Sequence, residues 1–163
     1  MMGAISSRFA VAIHILAYLA WRQQTVASSS EIARSVNPNP VVVRRIISAL
    51  REAGLVEVLQ GVDGGARLAR SPSETTLLAV YHAVEHAPLF SVHPQPPNSR
   101  CKIGSCIQEA LGEVFVKAEG AMLAVLKDVT IQEVFTKVNA APGCTGSLKA
   151  LLVTPQPDPL TGS

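Results

Sequence analysis

Apolar residues recur on a helical period through most of this chain, and the period changes to two in a single short stretch. From Ser7 to Trp21 apolar side chains fall on nearly every face, which predicts a helix enclosed in a small bundle. Ser28-Ser-Ser-Glu31 has capping-box spacing and opens a short helix from Ser29 to about Val36. Asn37-Pro38-Asn39-Pro40 ends that helix and starts another. Asn39 suits the N-cap, and Pro40 suits the first helical position, where its missing N–H costs nothing. Between Pro40 and Ala53, Val43, Ile46, Ile47 and Leu50 share one face, leaving Arg44, Arg45, Ser48 and Arg51 largely on the other. Gly54 fits a left-handed helix stop. The pattern then alternates: Leu55 to Gln60 and Ala66 to Arg70 read as strands around the turn Gly61-Val-Asp-Gly-Gly65.

Helical spacing returns after Ser71-Pro72-Ser73. Leu77, Val80, Tyr81 and Val84 mark an amphipathic helix behind a Thr76 cap. Pro88 to Arg100 is proline-rich and without period, so it reads as a loop. A long helix follows from about Gly104 to Asp128, with Ile107, Leu111, Val114, Ala118, Ala121 and Val125 in alternating steps of four and three. Phe115, Met122 and Leu126 widen that stripe. Few elements remain to cover it, so the simplest arrangement packs it against its own copy in a homodimer. Gly112 and Gly120, each costing an isolated helix about 1 kcal/mol, fit close approach of another backbone. Packing within one chain is the competing reading. Thr130 caps a last short helix to about Val138, and the residues beyond Asn139 read as a mobile tail.

The order helix, short helix, turn, arginine-bearing helix, hairpin is that of a winged helix-turn-helix. The predicted fold is mainly α with a small β-hairpin wing. Residues 1–87 form the reading domain, 88–103 a sensor-type loop, 104–138 the dimerisation helices, and 139–163 the tail.

Composition sharpens this picture in three ways. Of 163 residues 48% are apolar but only 4% aromatic, so the core must be aliphatic. The net charge of +2 names no partner, yet its distribution does. Residues 1–72 hold eight arginines, no lysine and four acids, whereas residues 73–163 hold six basic and eight acidic residues. A basic, arginine-only first half suits a phosphate-contacting surface. Phe9 to Trp21, the longest apolar run, is interrupted by His14 and falls short of the ~20 residues a bilayer demands. Three cysteines form no secreted disulfide framework. A cytoplasmic protein without a membrane segment is expected.

The expected partner is double-stranded DNA. A recognition helix needs small or polar residues and positive charge at its start, which Asn39, Val41, Arg44, Arg45 and Ser48 supply. Arg44 and Arg45 lie at the groove, at least one reading a guanine edge, the other on a base or on phosphate. Val41 suits a thymine methyl. Gln60, Gly64, Gly65 and Arg67 of the wing, Arg8 on the first helix, and Ser28 and Ser29 on the second are backbone-contact candidates. A winged helix that binds an acidic protein instead of DNA is the alternative. No phosphate loop, activated nucleophile or carboxylate pair points to an enzyme. His14 reads as a packing histidine. His82 and His86, one turn apart, read as surface or packing residues more readily than as metal ligands.

Three passages make the chain resemble the Rrf-type winged-helix regulators, the family of the iron–sulfur cluster regulator and the nitric-oxide-sensing repressor. They are Ser7-Arg-Phe-Ala-Val11, Leu50-Arg-Glu-Ala-Gly-Leu-Val56 running into Gly61-Val-Asp-Gly-Gly-Ala-Arg-Leu-Ala-Arg70, and Thr76-Leu-Leu-Ala-Val-Tyr-His-Ala-Val-Glu85. The resemblance spans about residues 5–138. It implies a homodimer, crossed through the long helix, that binds a roughly palindromic operator and usually represses. Cluster-binding relatives carry three cysteines before the dimerisation helix. Here that passage is Cys101-Lys-Ile-Gly-Ser-Cys106, with Cys144 far away. The acidic reader of those relatives is replaced by Arg44, and their wing-tip arginine is absent, with Gln60 nearest its place. No cofactor is therefore expected. For Cys101 and Cys106 three readings stand: a cluster completed by His93 and Cys144, a thiol switch favoured by the helix dipole with Arg100 and Lys102, or inert thiols.

Overall fold

The computed structural model describes residues 7–23, 25–37 and 39–141. Six helices and one hairpin occur in the predicted order: α1 (Arg8–Trp21), α2 (Ser29–Val36), α3 (Pro40–Glu52), β1 (Val56–Leu59), β2 (Gly65–Leu68), α4 (Leu77–Val84), α5 (Lys102–Asp128) and α6 (Ile131–Ala140). Helix starts follow local chemistry. The Ser28 hydroxyl accepts from the Glu31 N–H at 3.2 Å while the Ser28 N–H donates to the Glu31 carboxylate at 2.8 Å. The Asn39 side chain accepts from the Val41 N–H at 2.9 Å. Gly54, at φ +69°, ends the turn after α3 where a Cβ would be strained.

An aliphatic core forms where α1, α3, α4 and the wing meet. Ile15, Leu16, Ile32, Ile46, Leu50, Leu55, Val56, Val80 and Val84 are buried in it. The strands pair antiparallel, with Val56 opposite Leu68 and Leu59 opposite Gly65. Ala27 joins the hairpin edge through reciprocal bonds with Ala66, at 2.9 and 2.8 Å. The segment before α2 is thereby tied to the wing. This bond pair explains Gly65, where a Cβ would stand 2.4 Å from the Ala27 carbonyl oxygen. At Gly64 a Cβ would meet the Leu59 oxygen at 2.5 Å. Both glycines are thus demanded by the hairpin's own packing.

The chain's second half returns to this core. The Leu77 N–H donates to the Val129 carbonyl at 2.8 Å and the Ile131 N–H to the Thr75 carbonyl at 2.9 Å. Thr76 and Thr130, paired across this junction, cap α4 and α6. α6 packs along α1, with Ile131 buried in the core. α5 behaves differently: none of its residues is buried. Phe115 stacks on Phe90 of the preceding loop at 4.8 Å, so it serves this chain's own packing. Val114, Ala118, Ala121 and Val125 stay exposed, while Ile107 and Leu111 are half-covered. Gly112 and Gly120 face open space. No helix among the described residues is long and apolar enough to cross a membrane. Of the tail expected over 139–163, residues 139 and 140 belong to α6, and residues 142–163, Cys144 included, lie outside the described residues.

Candidate nucleic-acid interface

The outward face of α3, the start of α2 and the inner side of the wing enclose one groove. Its lining includes Ser28, Ser29, Arg44, Ser48, Arg51 and Gln60, with Gly64 and Gly65 along the hairpin. Val43, Ile46, Ile47 and Leu50 hold α3 by its apolar face, which leaves Arg44, Arg45 and Arg51 exposed. None of these three arginines has an ion pair among the described residues. Cationic groups that are held in place and lack a carboxylate partner are what an anionic backbone requires.

The predicted residues do not all fare alike. Ser28, Ser29, Arg44, Ser48, Gln60, Gly64 and Gly65 come together in the groove. Arg45 is exposed on α3 outside its lining, as is Val41. Arg8 is exposed at the start of α1, again outside the lining. Asn39 has its side-chain oxygen engaged by the Val41 N–H, so only its amide NH2 can donate outward. Arg67 is occupied: its Nε and Nη2 donate to one oxygen of Glu57 at 2.9 and 2.8 Å. Direct cross-strand pairing of residues 57 and 67 brings the two charges together.

Ser28 likewise spends its hydroxyl and amide in the capping box. The Glu31 carboxylate at this helix start opposes an incoming phosphate, but Arg22 lies 3.7 Å from its other oxygen. Hydrogen bonds from Ser28 hold the Glu31 carboxyl below the usual carboxylate range. The carboxylate therefore stays charged, and Arg22 offsets it. Arg51 is the charged groove residue that the sequence-based site omitted. Its spacing from Arg44 and Ser48, at i, i+4 and i+7, was the available signal.

Cys101 and Cys106 are exposed free thiols at the start of α5. Cys101 is the N-cap of α5, and the amides of Gly104 and Ile103 lower its thiol pKa. A turn precedes it, in which the Cys101 N–H donates to the Asn98 carbonyl at 3.1 Å. Among the described residues no three His, Cys, Asp or Glu side chains are grouped to hold a metal ion.

A family model described as Rrf2, iron-dependent transcriptional regulator, matches residues 5–137. The chain belongs to the Rrf2 family. YwnA of Bacillus subtilis (strain 168), named as an HTH-type transcriptional regulator, is 45% identical over 131 residues, covering 80% of this chain and 96% of YwnA. A solved structure described as a DNA-binding protein shares 39% identity at a TM-score of 0.62, covering 78% of this chain and 98% of that one. The global cysteine regulator CymR of B. subtilis shares the fold, with a TM-score of 0.62 at 22% identity over 83% of this chain and 98% of its own. This Rrf2 chain is a DNA-binding transcriptional regulator and not an enzyme.

Proposed function

We propose that the chain works as a homodimeric repressor whose two α3 helices read the halves of a roughly palindromic operator. The observation carrying this reading is the groove between α3, α2 and the wing, where Arg44 and Arg51 stand without acidic partners among the described residues. Arg44, Arg45, Ser48, Asn39 and Val41 face base edges. Ser29, Gln60, the Gly64–Gly65 backbone and Arg8 follow the phosphates, with Ser28 fixing the start of α2. The open stripe of α5 from Ile107 to Val125 joins the two copies, and their reading heads then meet successive turns on one side of the duplex.

Thiol chemistry at Cys101 and Cys106 is the proposed input. Five residues apart at a helix start, their Cα atoms are about 8–9 Å apart by ideal geometry. That exceeds the reach of a disulfide, so pairing within one chain requires the first turn of α5 to unwind. Oxidation of Cys101 alone, or a bond to the partner copy, leaves α5 intact.

The test is selection by the purified chain from a random duplex pool, with and without peroxide. Enrichment of a sequence with two related half-sites supports the reading. Equal binding to every duplex and to heparin, reduced or oxidised, refutes it.

A further inference from the structure

The first turn of α3 carries an unusual surface. Val41 is 45% exposed and Val42 38% exposed, whereas Val43, one residue on, is fully buried. The cap bond from the Val41 N–H to Asn39 fixes this turn. β-Branched side chains in a helix hold essentially one rotamer, so the two valines present their methyl groups rigidly. Arg44 lies three residues after Val41, and Arg45 three after Val42 and four after Val41. These pairs are helix-surface neighbours, and long side chains lean towards the helix start. The outward end of α3 therefore sets apolar methyl groups beside guanidinium groups that no acid among the described residues engages.

Thymine is the base that offers an apolar group in the major groove, its C5-methyl, and guanine offers the O6 and N7 acceptors that a guanidinium takes bidentately. An apolar pair one helical turn from free guanidinium groups matches a pyrimidine methyl beside a guanine. We propose that Val41 and Val42 read pyrimidine C5-methyl groups and that Arg44 or Arg45 reads the adjoining guanine. Each half-site then contains a thymine–guanine step. Cytosine at the same position binds better when its C5 is methylated. This inference rests on α3 being the base-reading element.

The experiment uses the full chain and the duplex recovered from the random pool, resynthesised with deoxyuridine for thymidine at one position at a time. The change removes one methyl and leaves base pairing intact. One or two positions in each half-site, next to a guanine, should lose about fourfold in affinity, the value of one buried methyl. In Val41→Ala and Val42→Ala the thymidine-to-deoxyuridine ratio at those positions should fall towards one. A 5-methylcytosine probe should bind more tightly than its cytosine counterpart at the same place. Deoxyuridine probes that bind as well as thymidine probes, with operator preference intact, overturn the inference while leaving the DNA reading standing. Valine variants that alter oligomeric state without altering the ratio overturn it too, assigning the patch to a protein contact.

Discussion

Arg44 lines the α3 groove beside Ser48 and Arg51, whereas the guanidinium of Arg67 is 2.8 Å from the Glu57 carboxylate. The two substitutions should therefore diverge. Arg44→Ala should lower affinity for the selected operator by about 1–3 kcal/mol, the value of a lost bidentate base contact, and affect a scrambled duplex much less. Arg67→Ala should change both by less than twofold, since its charge is already met. Fluorescence anisotropy on both duplexes checks this, and equal losses for the two variants would refute the assignment. Cys101 makes a second residue-scale case. The Gly104 and Ile103 amides favour its thiolate, so more of it is ionised at neutral pH than of an ordinary thiol. Iodoacetamide at pH 7 should label Cys101 faster than it labels the thiol of a short unstructured cysteine peptide, with the gap closing as pH rises past the usual thiol range. Indistinguishable rates at pH 7 would contradict this. The arginines were legible in the sequence as a class, but their states were not. Strand register, a non-local property, decides that residue 57 faces residue 67.

Helix starts were legible because each is written in a few adjacent residues. Ser28, Asn39, Thr76 and Thr130 all cap the helices their positions suggest. What escaped was chemistry between elements. Gly64 and Gly65 read as residues that let the wing approach DNA, and the sequence did not show that a Cβ at either would also meet the backbone of Leu59 or Ala27. Phe115 read as part of the open stripe, yet a proline-rich loop supplies Phe90 to stack on it. α5 also begins two residues earlier than its period suggested, because Cys101 takes the cap position. The α2 cap yields a pH prediction. Glu31 is held below the ordinary carboxylate pKa by Ser28, first through its backbone N–H and then its hydroxyl. A depressed carboxyl stabilises the fold above its unfolded pKa, near 4.3, and loses that contribution as pH falls through its lower folded value. The stability gap between wild type and Glu31→Ala should thus be widest near neutrality and shrink below pH ~4. A gap unchanged at pH 3 in denaturant unfolding would remove the capping account. Ser28→Ala should cost about 1 kcal/mol at neutral pH by the same assay.

At the scale of the whole molecule, the division of labour rests on α5 having two sides. Phe115 packs inward against Phe90, and the junction of Thr76 with Thr130 holds the helix end beside α4. Val114, 58% exposed, and Val125, 64% exposed, lie on the stripe that no element among the described residues covers. Burying such a stripe against a second copy is worth about 25 cal/mol per Å² of apolar surface. A carboxylate placed there must be desolvated, at a cost that outweighs the gain. Val114→Glu should accordingly sediment as a monomer while keeping the wild-type circular dichroism, because residue 114 contributes nothing to the buried core. Its operator binding then reports on architecture. A monomer engages one half-site and neutralises about half as many phosphates, and the slope of log affinity against log salt follows phosphate contacts at ~0.9 each on duplex DNA. The slope for Val114→Glu should therefore fall to roughly half that of the wild type, beyond any loss in affinity at one salt concentration. A variant that stays dimeric moves the interface off α5. A true monomer that keeps the full salt slope shows that one copy already makes every phosphate contact, and the two-headed operator model fails with it.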